Sequence, residues 1–438
     1  MLPKLTICSS ILVMSSGLFS FSAHAVSNEE IARQLQENTR RLNQLELENQ
    51  KLRSANEAMR QQLDNTKAIV SDTSNAVEVL HDNIDSQSKG DHWTDRVTIG
   101  GYGELHYNNL NNKPGKDEDG NHHEIDFHRF VLFVGYHFND RLRMYSELEV
   151  EHAFSGDGAP GEVELEQAYI EYDLLDKPMY GITQSSIRGG LFLIPVGFLN
   201  ETHEPPTFYG VERNSVENVI VPTTWWEAGV GNTTNFDNGI SLDLAFTNGL
   251  NIPGEGGSAF RVRSGRQKGA KAQISDFAYT GRIKYTGVPG LRVAAAYQYQ
   301  TDMAQSNVEG IGSGMLFETD FSYEHNLGPG SAMIKALWAR WDIEGAAVEA
   351  ANADEQYGWF VEPSYRMPVA AIGELGVYGR YQKVHGWRTA DRFQQWEGGV
   401  NWWPVNNVVL KADYRFNQND RDNGYNFQGF DLGIGYQF

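Results

Sequence analysis

The chain has 438 residues, a formal net charge of −21, one cysteine and 21% charged residues. So acidic a balance argues against a nucleic-acid partner, and a single cysteine leaves no disulfide framework. No stretch of about 18 apolar residues follows the first 25, which excludes a helical membrane protein. The 45 Gly, 20 Tyr, 22 Phe and 10 Trp instead suit strands that need aromatic girdles and glycine relief.

The first element in chain order is an export leader over residues 1–25. Lys4 is its one charge, Ile7 to Phe21 is apolar, and Ala23-His24-Ala25 supplies the small-x-small cleavage pattern, so the mature chain begins at Val26. Cys8 leaves with the leader, which excludes thiol chemistry. Losing Lys4 takes the charge from −21 to −22.

Residues 26–90 form the second element, a periplasmic coiled coil. From Ile31 to Ile84 there is no Pro or Gly, and apolar residues recur every 3.5 positions on average. Position a runs Ile31, Asn38, Leu45, Leu52, Met59, Thr66, Thr73, Leu80, and position d runs Leu35, Leu42, Asn49, Asn56, Leu63, Val70, Val77, Ile84. A stripe so narrow needs partner helices to bury it, and its polar positions set register at some cost in stability. At about 1.5 Å per residue the helix reaches about 80 Å.

Beyond Trp93 the period becomes 2, in segments of about ten residues. Residues 91–438 are therefore expected to form an all-β, 16-stranded antiparallel transmembrane barrel. The strands fall near 97–107, 125–138, 141–153, 162–174, 187–194, 224–232, 239–247 and 274–285, then 290–301, 315–325, 330–341, 356–366, 373–383, 393–403, 407–417 and 427–438. In the last strand Phe430, Leu432, Ile434, Tyr436 and Phe438 share the lipid face and Asp431 and Gln437 the other. Short turns such as Asn139-Asp140 and Gly328-Pro329-Gly330 alternate with long, charged loops, the exception being residues 175–186.

Alternation assigns Arg129, Arg141, Arg143, Arg282, Lys284, Arg292, Arg380, Lys411 and Arg415 to the lumen, since Arg or Lys costs roughly 2–4 kcal/mol at the lipid midplane. Glu147, Glu149, Glu151, Glu171, Asp173, Glu318, Asp320 and Glu324 fall inward on other strands. If bases and acids occupy opposite walls, a transverse field filters solutes; the plainer reading is a hydrated wall without selectivity. Arg261, Arg263, Arg266, Lys268 and Lys271 crowd the fourth long loop. Folded inward they extend an anion path, and facing outward they meet lipopolysaccharide phosphates.

The third long loop, residues 195–223, carries Pro195, Phe198, Pro205-Pro206 and Pro222, and reads as a folded constriction loop presenting Glu201, His203, Glu204, Tyr209 and Arg213. Asp117, Asp119, His122, His123, Glu124, Asp126 and His128 meet no zinc spacing and read as a hydrated loop entering a strand. No metal, cofactor or catalytic constellation is expected, so the chain is not read as an enzyme.

Several stretches resemble the family of phosphate-selective porins O and P. They are Gly100-Gly101-Tyr102-Gly103-Glu104, Asp126-Phe127-His128-Arg129-Phe130, Arg188-Gly189-Gly190 leading to Pro195-Val196-Gly197-Phe198, and Arg213 with Pro222-Thr223-Thr224-Trp225-Trp226. The resemblance implies a homotrimer of 16-stranded barrels in the outer membrane of a Gram-negative cell, with loops folded into each pore and arginines and lysines guiding anions. The N-terminal helix is similar to the extension of some trimeric porins that take up negatively charged solutes. The function so implied is passive diffusion of small hydrophilic solutes, with preference for phosphate or carboxylate anions. The alternative is a structural tether reaching peptidoglycan through the coiled coil.

Overall fold

The computed structural model describes residues 93–112, 121–419 and 426–438, together with residues 33, 36–37, 39–43, 46 and 53. The chain divides into two compact units, Met1–His92 and Trp93–Phe438. The expected leader and most of the coiled-coil seam lie outside the described residues. Those described between 33 and 53 are helical, Glu37 and Arg41 pair at 3.0 Å one turn apart, and the d-position Leu42 is exposed.

The second unit is a closed barrel of sixteen antiparallel strands, each bonded to its sequence neighbours, with β1 closing on β16. They are β1 (Val97–Asn112), β2 (His122–His137), β3 (Leu142–Glu151), β4 (Val163–Asp173), β5 (Ile182–Leu193), β6 (Trp226–Phe236), β7 (Ile240–Asn248) and β8 (Phe277–Tyr285). The second half comprises β9 (Leu291–Gln300), β10 (Gly314–Leu327), β11 (Gly330–Ile343), β12 (Glu355–Val369), β13 (Gly373–His385), β14 (Arg392–Val405), β15 (Val408–Asn419) and β16 (Phe427–Gln437). Closure is tight at the last residue: Gly101 N donates to Phe438 O at 3.0 Å and Phe438 N to Gly101 O at 2.9 Å. A Cβ at Gly101 would come 2.2 Å from the Val131 carbonyl oxygen, so only glycine fits that seam.

Each expected strand is present, with two boundaries moved by five residues: β1 runs on to Asn112 rather than ending at 107, and β5 starts early. β5 begins at Ile182, not 187, because polar Ser185 and Ser186 extend it through side-chain bonds to Thr234 (2.9 Å) and Glu171 (2.6 Å). The long connection expected at 175–186 thereby shortens to residues 174–181, closed by a bridge between Met179 and Ile182.

Phe430, Leu432 and Ile434 of β16 are exposed on the outer face, while Asp431 between them is fully buried inside. The inner face does not hold to a water-lined pattern on one side. On β10–β14 it carries Leu316, Leu337, Trp341, Phe360, Val384 and Phe393, buried in one apolar cluster with loop residues Val196, Phe198, Val216, Ile220, Trp225, Ile252 and Val262. At roughly 1.5–3 kcal/mol per fully buried large apolar side chain, this core inside the barrel holds the loops against the wall.

Candidate pore site

Between β5 and β6 the chain leaves the wall and runs through the lumen as residues 194–225. Asn200 joins the two feet of this inserted loop, donating to Ile194 O at 3.0 Å and accepting from Trp225 N at 3.1 Å. Its inner fold is organised by Glu217, whose carboxylate accepts from Phe198 N (2.6 Å), Leu199 N (2.8 Å) and Asn214 (2.7 Å).

The loop is then tied to the wall on several sides. Trp403 Nε1 donates to Pro206 O at 3.2 Å, Arg380 to Tyr209 O at 2.7 Å and Lys411 Nζ to Gly210 O at 2.8 Å. Val211 N donates to Asp413 at 2.7 Å, and Trp341 Nε1 to Ile220 O at 2.9 Å. The inward glycines of β16 make the room: a Cβ at Gly435 would lie 2.3 Å from Pro205 Cβ, and one at Gly433 would lie 3.2 Å from Val211 Cγ1.

The five residues singled out on this loop take different positions. Glu201 reaches Arg282 of β8 at 2.5 Å, Lys284 at 2.6 Å and also Arg292 of β9. Burial alone would raise its carboxyl, but Arg282, Arg292 and Lys284 outweigh that and hold it at about 2. His203 sets Nε2 at 3.2 Å from Glu147 and Nδ1 at 3.0 Å from Leu199 O. Glu204 opens a 3-10 turn over Pro205–Thr207 without a side-chain cap bond. Tyr209 packs with its ring centroid 5.2 Å from Tyr378, tilted, and 5.6 Å from Trp403, edge-on, and burial pushes its hydroxyl up to about 12. Arg213 donates to His203 O at 3.3 Å.

The strand cations lie inward but not as a bare positive wall. Arg129 pairs with Glu104 (2.8 Å) and Glu149 (3.3 Å), and Arg143 with Glu171 (3.0 Å) and Asp173 (2.7 Å). Arg282 also pairs with Asp243 (2.7 Å) and Arg292 with Asp320 (2.8 Å). Arg380 pairs with Glu362 (2.7 Å) and Glu397 (3.1 Å), and Arg415 with Asp431 (2.5 Å). Arg141 departs from the expectation: it precedes β3 in the turn, bonding Asp173 O at 2.7 Å and Asp176 at 2.7 Å.

The expected segregation of charge by wall is therefore corrected. Opposite charges on adjacent strands face each other in register, so most cancel locally. What separation exists runs between the acids of β3 and β4 and cations borne by loops.

The basic run of the loop after β7 divides. Arg263 donates to Thr223 O and Arg266 to Thr224 O, both on the inserted loop, while Lys268 pairs with Glu164 of β4. Arg261 lies 3.8 Å from Asp391, and Lys271 is exposed. Among the described residues no carboxylate pairs with Arg213, Arg263 or Arg266. Burial and the neighbouring cations Arg266, Arg261, Arg213 and Arg129 depress the Arg263 guanidinium, so these groups are close enough to repel.

Sequence reading placed Arg188 within the strand 187–194 but not on the pore path; its guanidinium lies 4.8 Å over the Phe192 ring. The same reading missed Lys335, 5.7 Å over Phe198, although outward Ile334 and exposed Trp338 on the same strand point to it. Asp126 and His128, read as a hydrated loop, are joined by His152 from the next long loop, with Asp126 Oδ2 at 3.1 Å and 2.8 Å from the two imidazoles. They border a cavity of about 420 Å³ shared with Asn108, Glu212 and Arg415.

No protein-family model matches the chain. Its sequence is 32% identical over 343 residues to an uncharacterized protein of Aquifex aeolicus, spanning 73% of this chain and 75% of that one. Among solved structures, the barrel is similar to OprB of Pseudomonas putida at high pH, with TM-score 0.54, 11% identity, and coverage of 79% of this chain and 95% of that one. It is also similar to an anion-selective porin from Comamonas acidovorans (TM-score 0.50, 11% identity, 78% of this chain and 99% of that one). OmpF of Salmonella typhi in complex with daunomycin gives TM-score 0.50 at 14% identity, over 78% of this chain and 97% of that one. At these identities the likeness establishes a porin-type barrel fold.

Proposed function

This chain belongs to the same family as the uncharacterized Aquifex aeolicus protein, and we propose that its barrel is an outer-membrane channel for passive diffusion of small hydrophilic solutes, with preference for anions. The observation that carries the reading is the inserted loop, which brings Arg213 together with Arg263 and Arg266 of the neighbouring loop. Each of these guanidiniums donates to a backbone carbonyl rather than a carboxylate. Phosphate or carboxylate oxygens match such groups in a bidentate fork and supply the direct anionic partner they lack among the described residues. The paired cations Arg282, Arg292, Arg380 and Arg415 shape the path more than they attract, because their charge is already met.

An apolar outer face on strand after strand supports membrane insertion. On the same reading the heptads of residues 31–84 assemble a homotrimer whose helices extend into the periplasm, with peptidoglycan within their reach, and the long loops meet lipopolysaccharide. The resemblance to phosphate-selective porins supports phosphate as one of the anions.

Reversal potentials in a potassium chloride gradient test the proposal. Anion preference is expected, and R213Q/R263Q/R266Q should abolish it while inorganic phosphate ceases to compete with chloride. Cation preference in the native protein, unaltered by the triple substitution, would refute the anion reading.

A further inference from the structure

Where the inserted loop meets β3 and β4, a side-chain cluster lies beside the arginines of the proposed path: Arg213 donates to the His203 carbonyl, and Arg266 donates to the carbonyl of Thr224, whose hydroxyl holds Glu166. The His203 Nδ1 bond to the Leu199 carbonyl makes that nitrogen the donor and turns Nε2 toward Glu147 Oε1. One donor atom each of Glu147, Glu166 and His203 lies within 4.8 Å of the other two. All three residues are buried, at 0%, 1% and 4% exposure.

The outer sides of the two carboxylates are held by neighbours. Gln167 donates to Glu147 Oε2 at 2.6 Å and Thr224 to Glu166 Oε1 at 2.7 Å. Glu166 Oε2 is the exception, buried with no hydrogen-bond partner among the described residues. Glu149 is within hydrogen-bonding reach of Glu166, and its Oε1 accepts no aligned bond either, though Arg129 lies 3.3 Å away. Arg129 is shared with Glu104 and Glu149, and although Arg213 and Arg266 are close by, among the described residues none of the three arginines forms an ion pair with Glu147 or Glu166. Buried carboxylates persist when paired or bound to metal.

We propose that Glu147, Glu166 and His203 bind a divalent cation, with Glu149 beside them as a fourth ligand, and that this ion staples the inserted loop to the barrel wall. One imidazole with carboxylates suits Zn²⁺ or Mn²⁺. The Leu199 carbonyl, Gln167 and Thr224 are the outer partners such ligands require. Bonds of about 2.0–2.2 Å need only a small closing of the carboxylate rotamers from the separations seen. At the other cluster, Asp126 Oδ2 already accepts from both His128 and His152, and all three residues are half-exposed, so it serves as the control. The proposal goes beyond the channel reading, since it does not depend on which solute passes.

The full chain, extracted from membranes in detergent, is chelator-treated, titrated with Zn²⁺ or Mn²⁺ and passed over gel filtration before the metal is counted. One ion per chain is expected. E166Q and H203Q should weaken binding by about 10- to 100-fold or more, and D126N/H128Q should leave it unchanged, each variant keeping the heat-modifiable mobility of a folded barrel. Electron spin-echo spectra of the Mn²⁺ form should show one imidazole nitrogen, a readout that needs no variant. The proposal is overturned if folded protein retains neither metal, if the ion survives E166Q and H203Q, or if two imidazoles couple, which would place it at His128 and His152.

Discussion

Lys284 on β8 donates to Glu201 on the inserted loop at 2.6 Å, across 83 residues of sequence. With Arg282 and Arg292 it makes Glu201 the point where three wall cations converge on one loop carboxylate. Asp243 and Asp320 supply the two further negative charges that bring this group to balance. The loop is thus part of the charge arrangement of the wall.

Replacing Glu201→Gln keeps the shape and leaves three cations to two carboxylates. Losing one partner of a buried pair costs about 3–5 kcal/mol, and the side chain's 22% exposure points to the lower end. A lower melting temperature of the detergent-solubilised barrel and a stronger anion preference are expected. Unchanged values of both would show that the contact does not hold the loop.

The same contact has a defined pH range. A carboxyl held at about 2 contributes stability that is complete above its ordinary value and is lost as pH falls toward 2. Single-channel conductance should therefore stay level from pH 7 to pH 4 and change only nearer pH 2. A transition in the wild type centred near pH 4.5 and absent from E201Q would contradict the assignment.

Trp341 is fully buried and ties the apolar core to Ile220 through its indole N–H. Trp341→Phe removes the bond and some volume, whereas Trp341→Ala opens a cavity worth about 3–5 kcal/mol. Melting temperatures should fall in that order, and W341A should show larger, noisier conductance as the loop loosens. Equal melting temperatures for both would mean the core does not bear on the loop.

Gly435 leaves no space for a side chain, because the Pro205 Cβ would be 2.3 Å away. Gly435→Ala should push the loop off β16 at a cost of about 1–3 kcal/mol. Increased proteolysis within residues 205–213 of the folded variant reads that displacement, and wild-type resistance would count against it.

Much of the barrel was legible because strand alternation and loop length are independent signals and both repeat. Phe430, Leu432 and Ile434 show their face without any knowledge of neighbours. The interior core was not legible, since inward Leu316 and Leu337 sit between outward apolar residues and blur the period, while inward Trp341 between Arg340 and Asp342 reverses the expected apolar-out pattern. The cancelling of cations was hidden for another reason. That Arg380 pairs with Glu362 and Glu397 follows from cross-strand register, which composition along one strand does not carry. The inserted loop announced itself by length and prolines, but its anchor Glu217 carries no local signal, because its partners Phe198 and Leu199 lie 19 and 18 residues away.

Residues 194–225 occupy the lumen, and on the channel reading they define the path through it. A Cβ placed at Gly433 lies 3.6 Å from Val211 Cβ, within the range of about 3.5–4.5 Å that a disulfide needs. In a Cys8→Ser background, V211C/G433C should therefore lose both thiols on mild oxidation, and the cross-linked barrel should conduct like the wild type with quieter open-channel current. Two thiols that stay reactive in the folded barrel would show that the loop does not lie against β16, and a cross-link that abolishes conductance would show that the anchored loop closes the path.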